Sequence, residues 1–221
     1  ILFILVNIFC ASFSEFYNMK SVLRQMPVYL AEVFMMFPMA YILVLGEIDI
    51  SVGAIMAVSA AVCCNLLTGG ERAATEYACP LILGFLAALV IGALIGCFNG
   101  VLVAKLKIQP MVATLIMFTA GRGIAQLITD GQITYVRVES YKVLGSFLPH
   151  VPVPTPFIVA MLMVILTSLI LKKTALGLYI QSVGINAKAS RLVGIKSTMI
   201  VFLTYAFCGI CSGLAGLIAS S

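Results

Sequence analysis

The chain has 221 residues, of which 62% are hydrophobic and only 10% charged, with a formal net charge of +5. A soluble domain carries about 25% charged residues, so a soluble fold is excluded. The apolar residues fall in runs near the roughly 20 that a helix needs to cross a hydrocarbon core. They do not alternate with polar ones in the short segments, about ten residues each, of a transmembrane barrel.

The expected fold class is therefore all-α, a polytopic helical membrane protein. In chain order, the apolar runs 1–13, 28–45, 50–68, 80–104, 111–129, 156–171 and 199–219 read as about seven spans. The runs at 28–45 and 50–68 meet almost without a loop, so a broken helix or tight turn is expected at 46–53. The chain starts at Ile1 and stops at Ser221, each within an apolar stretch and without a cleavable signal, and is expected to be part of a longer protein.

Charges in the loops orient these spans. The loop 172–198 carries Lys172, Lys173, Lys188, Arg191 and Lys196 and no acid, which places it on the cytoplasmic side. Alternation back along the chain then puts 105–110, with Lys105 and Lys107, inside as well. The loops 14–27, 69–79 and 130–155 fall outside, and each mixes acids with bases. The inside loops hold seven basic residues and no acid, so charge and span count agree. Because the excess charge is topological, no nucleic-acid partner is implied; the partner implied directly is the lipid bilayer. The outside loop 130–155 contains Pro149, Pro152 and Pro154 and is expected to carry a short re-entrant or surface helix.

The basic loop also has the pattern of a folded elbow. Leu176, Tyr179, Ile180 and Val183 recur at helical spacing, which predicts one apolar stripe. Gly184 is expected to end that helix in a left-handed conformation, Asn186 to cap a second short helix, and Gly194 to stop it. A structured basic elbow on the cytoplasmic face suggests a docking surface for a soluble partner.

Three groups of residues stand out within the spans. In GEIDISVG, 46–53, Glu47 and Asp49 interrupt an apolar stretch. A charge at the bilayer centre costs about 2.5–3.5 kcal/mol and calls for a partner or a water path. Either the segment is a break inside the membrane whose freed groups meet a polar solute, or it is a capped turn at the cytoplasmic interface, with Asp49 or Ser51 capping the next helix. In 111–129, Thr119, Arg122, Gln126, Thr129 and Asp130 share a helix face. Arg122 either faces a pathway, paired with Asp130 or Asp49, or reaches the outer interface along its own stem. Gly84, Ala88, Gly92, Gly96 and Gly100 recur every fourth residue, as do Gly53, Ala57 and Ala61, and Cys208, Ser212, Gly216 and Ser220. Such stripes, with Gly213 beside the last, allow close helix packing in lipid. Asn99, beside Gly100, is the one neighbour of these stripes expected to contact solute.

Other motifs point away from catalysis. Cys208 and Cys211 spell CxxC, but within an apolar helix with no second pair. His150 is the single histidine and lies in an outside loop. There is no Walker-type phosphate loop, no Ser/His/Asp set and no HExxH, so no catalytic residue, metal site or cofactor is expected.

The motifs resemble one family. GEIDISVG is similar to the GGIDLSVG signature of sugar-type ABC importer permeases, the ribose branch of the branched-chain amino-acid/ribose permease family. The likeness continues through Asn99-Gly100, KIQPMVATLIMFTAGRGIAQLITDGQ (107–132) and TALGLYIQSVGINAKASRLVGI (174–195), and covers the chain in order. The phrases at 107–115 and 173–186 resemble permeases for galactofuranose. The resemblance implies a single permease domain over 1–221, in a family of about ten spans, so that C-terminal spans would be missing here. It further implies a bacterial plasma (inner) membrane location, a second permease subunit (identical or not), cytosolic ATP-binding subunits and an external, periplasmic sugar-binding protein. On this reading Gly184, Asn186, Ala189, Ser190, Arg191 and Gly194 belong to a coupling segment that docks on the ATPase, and the chain itself is not an enzyme. Glu47 departs from the pattern, standing where the family has Gly.

The expectation is an ATP-driven importer permease for a ribose-like or galactofuranose-like monosaccharide, its path lined by Glu47, Asp49, Ser51, Asn99, Arg122 and Gln126. Two alternatives stand beside it. An ion-coupled secondary transporter would use Glu47 and Asp49 but has no need of the elbow, and a non-transporting scaffold would need neither the acids nor the intramembrane Arg.

Overall fold

Helices follow the apolar runs closely in the computed structural model, which describes residues 37–142 apart from 72, 75 and 133, together with 145 and 155–221. They are α1 (Met39–Val44), α2 (Val52–Thr68), α3 (Leu81–Ala104), α4 (Pro110–Ile128), the single turn α5 (Glu139–Lys142), α6 (Thr155–Lys173), α7 (Ala175–Leu192) and α8 (Ser197–Ser220). Four of these, α3, α4, α6 and α8, are long and apolar enough to cross a membrane, and α2 is a shorter apolar helix. The protein is thus a polytopic all-α membrane protein. The expected span 1–13 and the first half of 28–45 lie outside the described residues, as does His150.

Local chemistry sets several boundaries. Pro110 opens α4, where its fixed φ and missing N–H cost nothing. Gly69, at φ +65°, closes α2 in the left-handed conformation, and Gly70 N donates to Asn65 O at 3.1 Å.

The two ends of the bundle match the alternation of sides. At one end, β1 (Ala73–Ala74) pairs in parallel with β2 (Tyr135–Val136), joining the loops read as external. There Asn65 Nδ2 donates to Ile128 O at 2.7 Å, and the Tyr141 and Ser220 hydroxyls meet at 2.6 Å. Burial pushes the Tyr141 phenol up, so it acts as a neutral hydrogen-bonding group. The expected surface helix is therefore α5, pinned by Tyr141. At the other end Lys105, Arg191 and Lys196 line one cavity, which brings the two loops read as internal together.

The core is the pairing of α3 with α8. Gly84, Ala88, Gly92, Gly96 and Gly100 are all buried. A Cβ on Gly92 would lie 2.5 Å from Gly209 O, and one on Gly96 would lie 2.6 Å from Tyr205 O. The backbones touch, which is what small residues permit where lipid gives no hydrophobic drive. The opposite face of α3 presents Ile82, Leu86, Val90, Leu94 and Phe98 outward, all more than half exposed, as hydrocarbon requires. Gly92→Val is expected to separate α3 from α8, costing about 1–3 kcal/mol or more at a backbone contact. Thermal unfolding in detergent and protease resistance would register the loss.

The α8 stripe is packed as expected, whereas the α2 stripe is largely exposed. On α8 the residues set against the α3 backbone are Gly209 and Gly213, each one position beyond Cys208 and Ser212. Cys208 packs with Ile42, Val52, Val103, Ala113 and Tyr205. Ser212 Oγ donates to Cys208 O at 2.7 Å. A Cβ on Gly216 would strike Met56 O of α2. On α2, Gly53 and Ala57 are exposed and only Ala61 is buried. Spacing identifies a stripe, but not which neighbour it meets.

Candidate functional site

The segment between α1 and α2 turns back at Gly46, whose φ of +78° suits glycine. Glu47 N then donates to Ile42 O at 3.1 Å. Asp49 is only 2% exposed and Ser51 is fully buried. Asp49 Oδ1 accepts from Ser51 N at 2.8 Å and from Ser51 Oγ at 2.6 Å, an aspartate turn that sets the entry into α2. Ser51 occupies the N-cap position but its side chain makes no cap bond, so the expectation that Ser51 caps α2 is corrected. Its hydroxyl faces the bundle, where Asn99 Nδ2 of α3 donates to it at 2.7 Å. Thr114 of α4 adds a fourth element, with Ile50 N donating to its Oγ1 at 3.2 Å.

This chain of bonds fixes the Asn99 amide. Ser51 has one hydroxyl proton, already given to Asp49, so Asn99 must present its NH₂ and keep its Oδ1 free. Asn99 is fully buried, and Oδ1 has no partner among the described residues. The same is true of Tyr205 Oη on α8 and of Glu47 Oε2. Both Glu47 and Asp49 lie within electrostatic reach of the Tyr205 phenol, yet neither Oε2 nor Oη completes a bond of good geometry. Three orphaned polar atoms therefore belong to one buried cluster that holds two carboxylates and, among the described residues, no cation acting on either of them.

Depth distinguishes the two readings of 46–53. At 1.5 Å rise per residue, Asn99 lies about 9 Å inside the Lys105 end of α3, and Tyr205 about 12 Å inside the start of α8. The cluster sits within the bundle rather than at its end, which favours the reading of 46–53 as a break. Tyr205 and Thr114 had no signal in the sequence beyond being polar groups in apolar helices.

Arg122 and Gln126 are not part of this cluster. Both are exposed on α4, and Arg122 packs 5.8 Å over the Phe118 ring. Among the described residues it pairs with neither Asp130 nor Asp49, which corrects the expected ion pair. The Thr119 and Thr129 hydroxyls return to their own helix, donating to Leu115 O at 3.0 Å and Ala125 O at 3.1 Å. Gln126 lines an open groove between α2 and α4 with Ala57, Ala61, Cys64 and Ala125.

The elbow is folded, but its break differs in place. Helix α7 runs through Gly184 without a left-handed residue and breaks at Asn186, where φ is −157° and ψ is 97°. Asn186 Oδ1 accepts from Lys188 N and Ala189 N, both at 3.0 Å, as an N-cap should. Gly194 has φ +87° and closes the second helix, with Ile195 N donating to Ser190 O at 3.0 Å. Gly184 instead marks a contact: a Cβ there would strike Val44 O and lie 3.1 Å from Leu45 Cα. Ile180 and Val183 are buried with Tyr41, Leu45 and Ile200, whereas Leu176 and Tyr179 stay at the edge. Ser190 is buried; Ala189 and Arg191 are exposed, and Arg191 Nε donates to Ser197 Oγ at 2.5 Å. The elbow thus rests on the end of α1, immediately before the Gly46–Ser51 break.

Comparison with known proteins identifies the family. Residues 21–221 match the family model described as "Branched-chain amino acid transport system / permease component". The chain is 44% identical to the galactofuranose transporter permease protein of Escherichia coli K12, over 83% of this chain and 51% of that protein. It is 40% identical to the fructose import permease protein of Bifidobacterium longum, over 83% of this chain and 50% of that protein. Identity to the ribose import permease protein of Escherichia coli K12 is 32%, over 99% of this chain and 65% of that protein. The chain thus spans about half to two thirds of the length of these curated relatives. No solved structure matches it.

Proposed function

Since the chain belongs to the permease-component family of branched-chain amino acid transport systems, we propose that it is the membrane-spanning permease subunit of an ATP-driven monosaccharide importer. Its relatives are named for galactofuranose, fructose and ribose, and a ribose-like or galactofuranose-like sugar is the proposed solute. ATP hydrolysis belongs to separate cytosolic subunits, solute delivery to an external binding protein, and a second permease subunit completes the path in a bacterial inner membrane.

The observation that carries this reading is the surface of the elbow. Ile185, Leu192 and Val193 are 87%, 92% and 79% exposed, beside Lys188 and Arg191. Large apolar side chains standing clear of the bundle on a rigid, capped, basic element suit a docking patch rather than a solvated loop. Movement of the elbow would reach the solute path through Gly184 and Val44. Along that path Glu47, Asp49, Ser51 and Asn99 offer acceptors and donors to sugar hydroxyls once the bundle opens, and the exposed α4 face with Arg122 and Gln126 looks toward the second subunit.

The test is Leu192→Glu with Val193→Glu in the complete transporter. Two docking anchors at about 2 kcal/mol each correspond to a loss of affinity for the ATPase of about a thousandfold. ATP-driven uptake in vesicles should fall away while the permease stays in the membrane. Uptake within about twofold of the parent would remove the elbow from the coupling role.

A further inference from the structure

At the cytoplasmic end, a cavity of about 730 Å³ opens between the end of α3, the elbow and the start of α8. Lys105, Arg191 and Lys196 line it, together with Ile195, Met199 and Phe202, and among the described residues no acidic side chain does. Arg191 is held in place by its Nε bond to Ser197 Oγ, which leaves its two terminal nitrogens uncommitted among the described residues. Three cations converging without an acid form a site for an anion of more than one charge or more than one oxygen.

The apolar wall narrows the class of anion. Ile195, Met199 and Phe202 form it, and Met199 is 54% exposed. Phe202 closes the gap by packing on Gly100, whose Cβ would lie 3.0 Å from the Phe202 ring. The cavity is therefore cationic at Lys105, Arg191 and Lys196 and apolar at Met199 and Phe202. It lies where α3 and α8 leave the hydrocarbon by their lengths. A water-soluble anion would use the cations and leave the wall bare. A phosphate ester with acyl chains uses both.

We propose that this cavity binds the phosphate headgroup of an anionic phospholipid of the cytoplasmic leaflet, with an acyl chain along Met199 and Phe202. Basic pockets between helices on the cytoplasmic side suit such headgroups. The bound lipid would bridge the fixed end of α3 to the elbow, so that leaflet composition bears on how firmly the elbow is held.

The experiment uses the complete transporter in nanodiscs of phosphatidylcholine with or without phosphatidylglycerol, with retained lipid read by native mass spectrometry. Preferential retention of phosphatidylglycerol is expected. Lys105→Gln with Lys196→Gln should weaken it about 25-fold, at about fivefold per lysine near an anionic surface, and Lys105→Arg with Lys196→Arg should keep it. Equal retention in the Gln pair, or an equal loss in the Arg pair, would overturn the proposal. Displacement of the lipid by millimolar inorganic phosphate would make this a simple phosphate site. Loss of the ATPase subunits with unchanged lipid retention would make it a protein-docking surface. Either result would also overturn the proposal.

Discussion

Gly184→Val is expected to cut uptake by at least about tenfold while leaving membrane insertion intact. Gly184 lies within α7 and has no need of a left-handed conformation. Its constraint is the α1 backbone, because a Cβ would strike Val44 O. Side chains can rotate away from an added methyl group, but a carbonyl anchored in a helix cannot. Overpacking of this kind costs about 1–3 kcal/mol or more, and each 1.4 kcal/mol changes a population tenfold. The elbow would lift from α1, and force applied to it would no longer reach the Gly46–Ser51 break. Gly123→Val provides the control, since a Cβ at Gly123 meets nothing within 4 Å. Uptake in vesicles and membrane abundance, measured for both variants, decide the matter. A Gly184→Val protein with parental uptake would show that the elbow and α1 move independently.

That contact also illustrates where sequence reading succeeds and where it stops. Helices α3, α4, α6 and α8 follow from apolar runs, since hydrocarbon demands a single local pattern. The Asn186 cap and the Gly194 stop were legible for a similar reason, because both depend on bonds within a few residues. The α3 stripe was legible because every member repeats at four residues, with Gly92, Gly96 and Gly100 against α8 and Gly84 against Leu67 of α2. The reading failed where the partner lies far along the chain. Gly184 signals a helix end by composition, yet Val44 is what demands it. Gly53 and Ala57 have the spacing of a packing stripe but are exposed among the described residues. Thr114 and Tyr205 join the buried cluster from α4 and α8, and no periodicity marks them. Asp130 and Asp49 were the expected partners of Arg122 because an unpaired charge is costly in a membrane, but a shared cost does not bring two residues together.

Asp49→Asn is expected to separate charge from geometry at the break. The amide oxygen it introduces can accept the same bonds from Ser51 N and Oγ that Asp49 accepts at 2.8 and 2.6 Å, so the turn into α2 should persist and insertion should be normal. What disappears is one of the two carboxylates facing the orphaned Tyr205 hydroxyl. If that acidic character meets sugar hydroxyls during opening, each charge-assisted bond lost costs about 1.5–3 kcal/mol, and uptake should fall by about 10- to 100-fold. Ser51→Ala gives the opposite pattern. It removes the hydroxyl that bridges Asp49 to Asn99, leaving the Asn99 NH₂ buried without its partner at a cost of about 1–3 kcal/mol, and lowers thermal stability along with transport. The contrast is diagnostic because the two substitutions touch the same chain of bonds from different ends. If Asp49→Asn transported normally and Ser51→Ala only lowered stability, the cluster would be a structural clasp between α2 and α3, and the solute would have to pass elsewhere, with the exposed α4 face of Arg122 and Gln126 the next place to look.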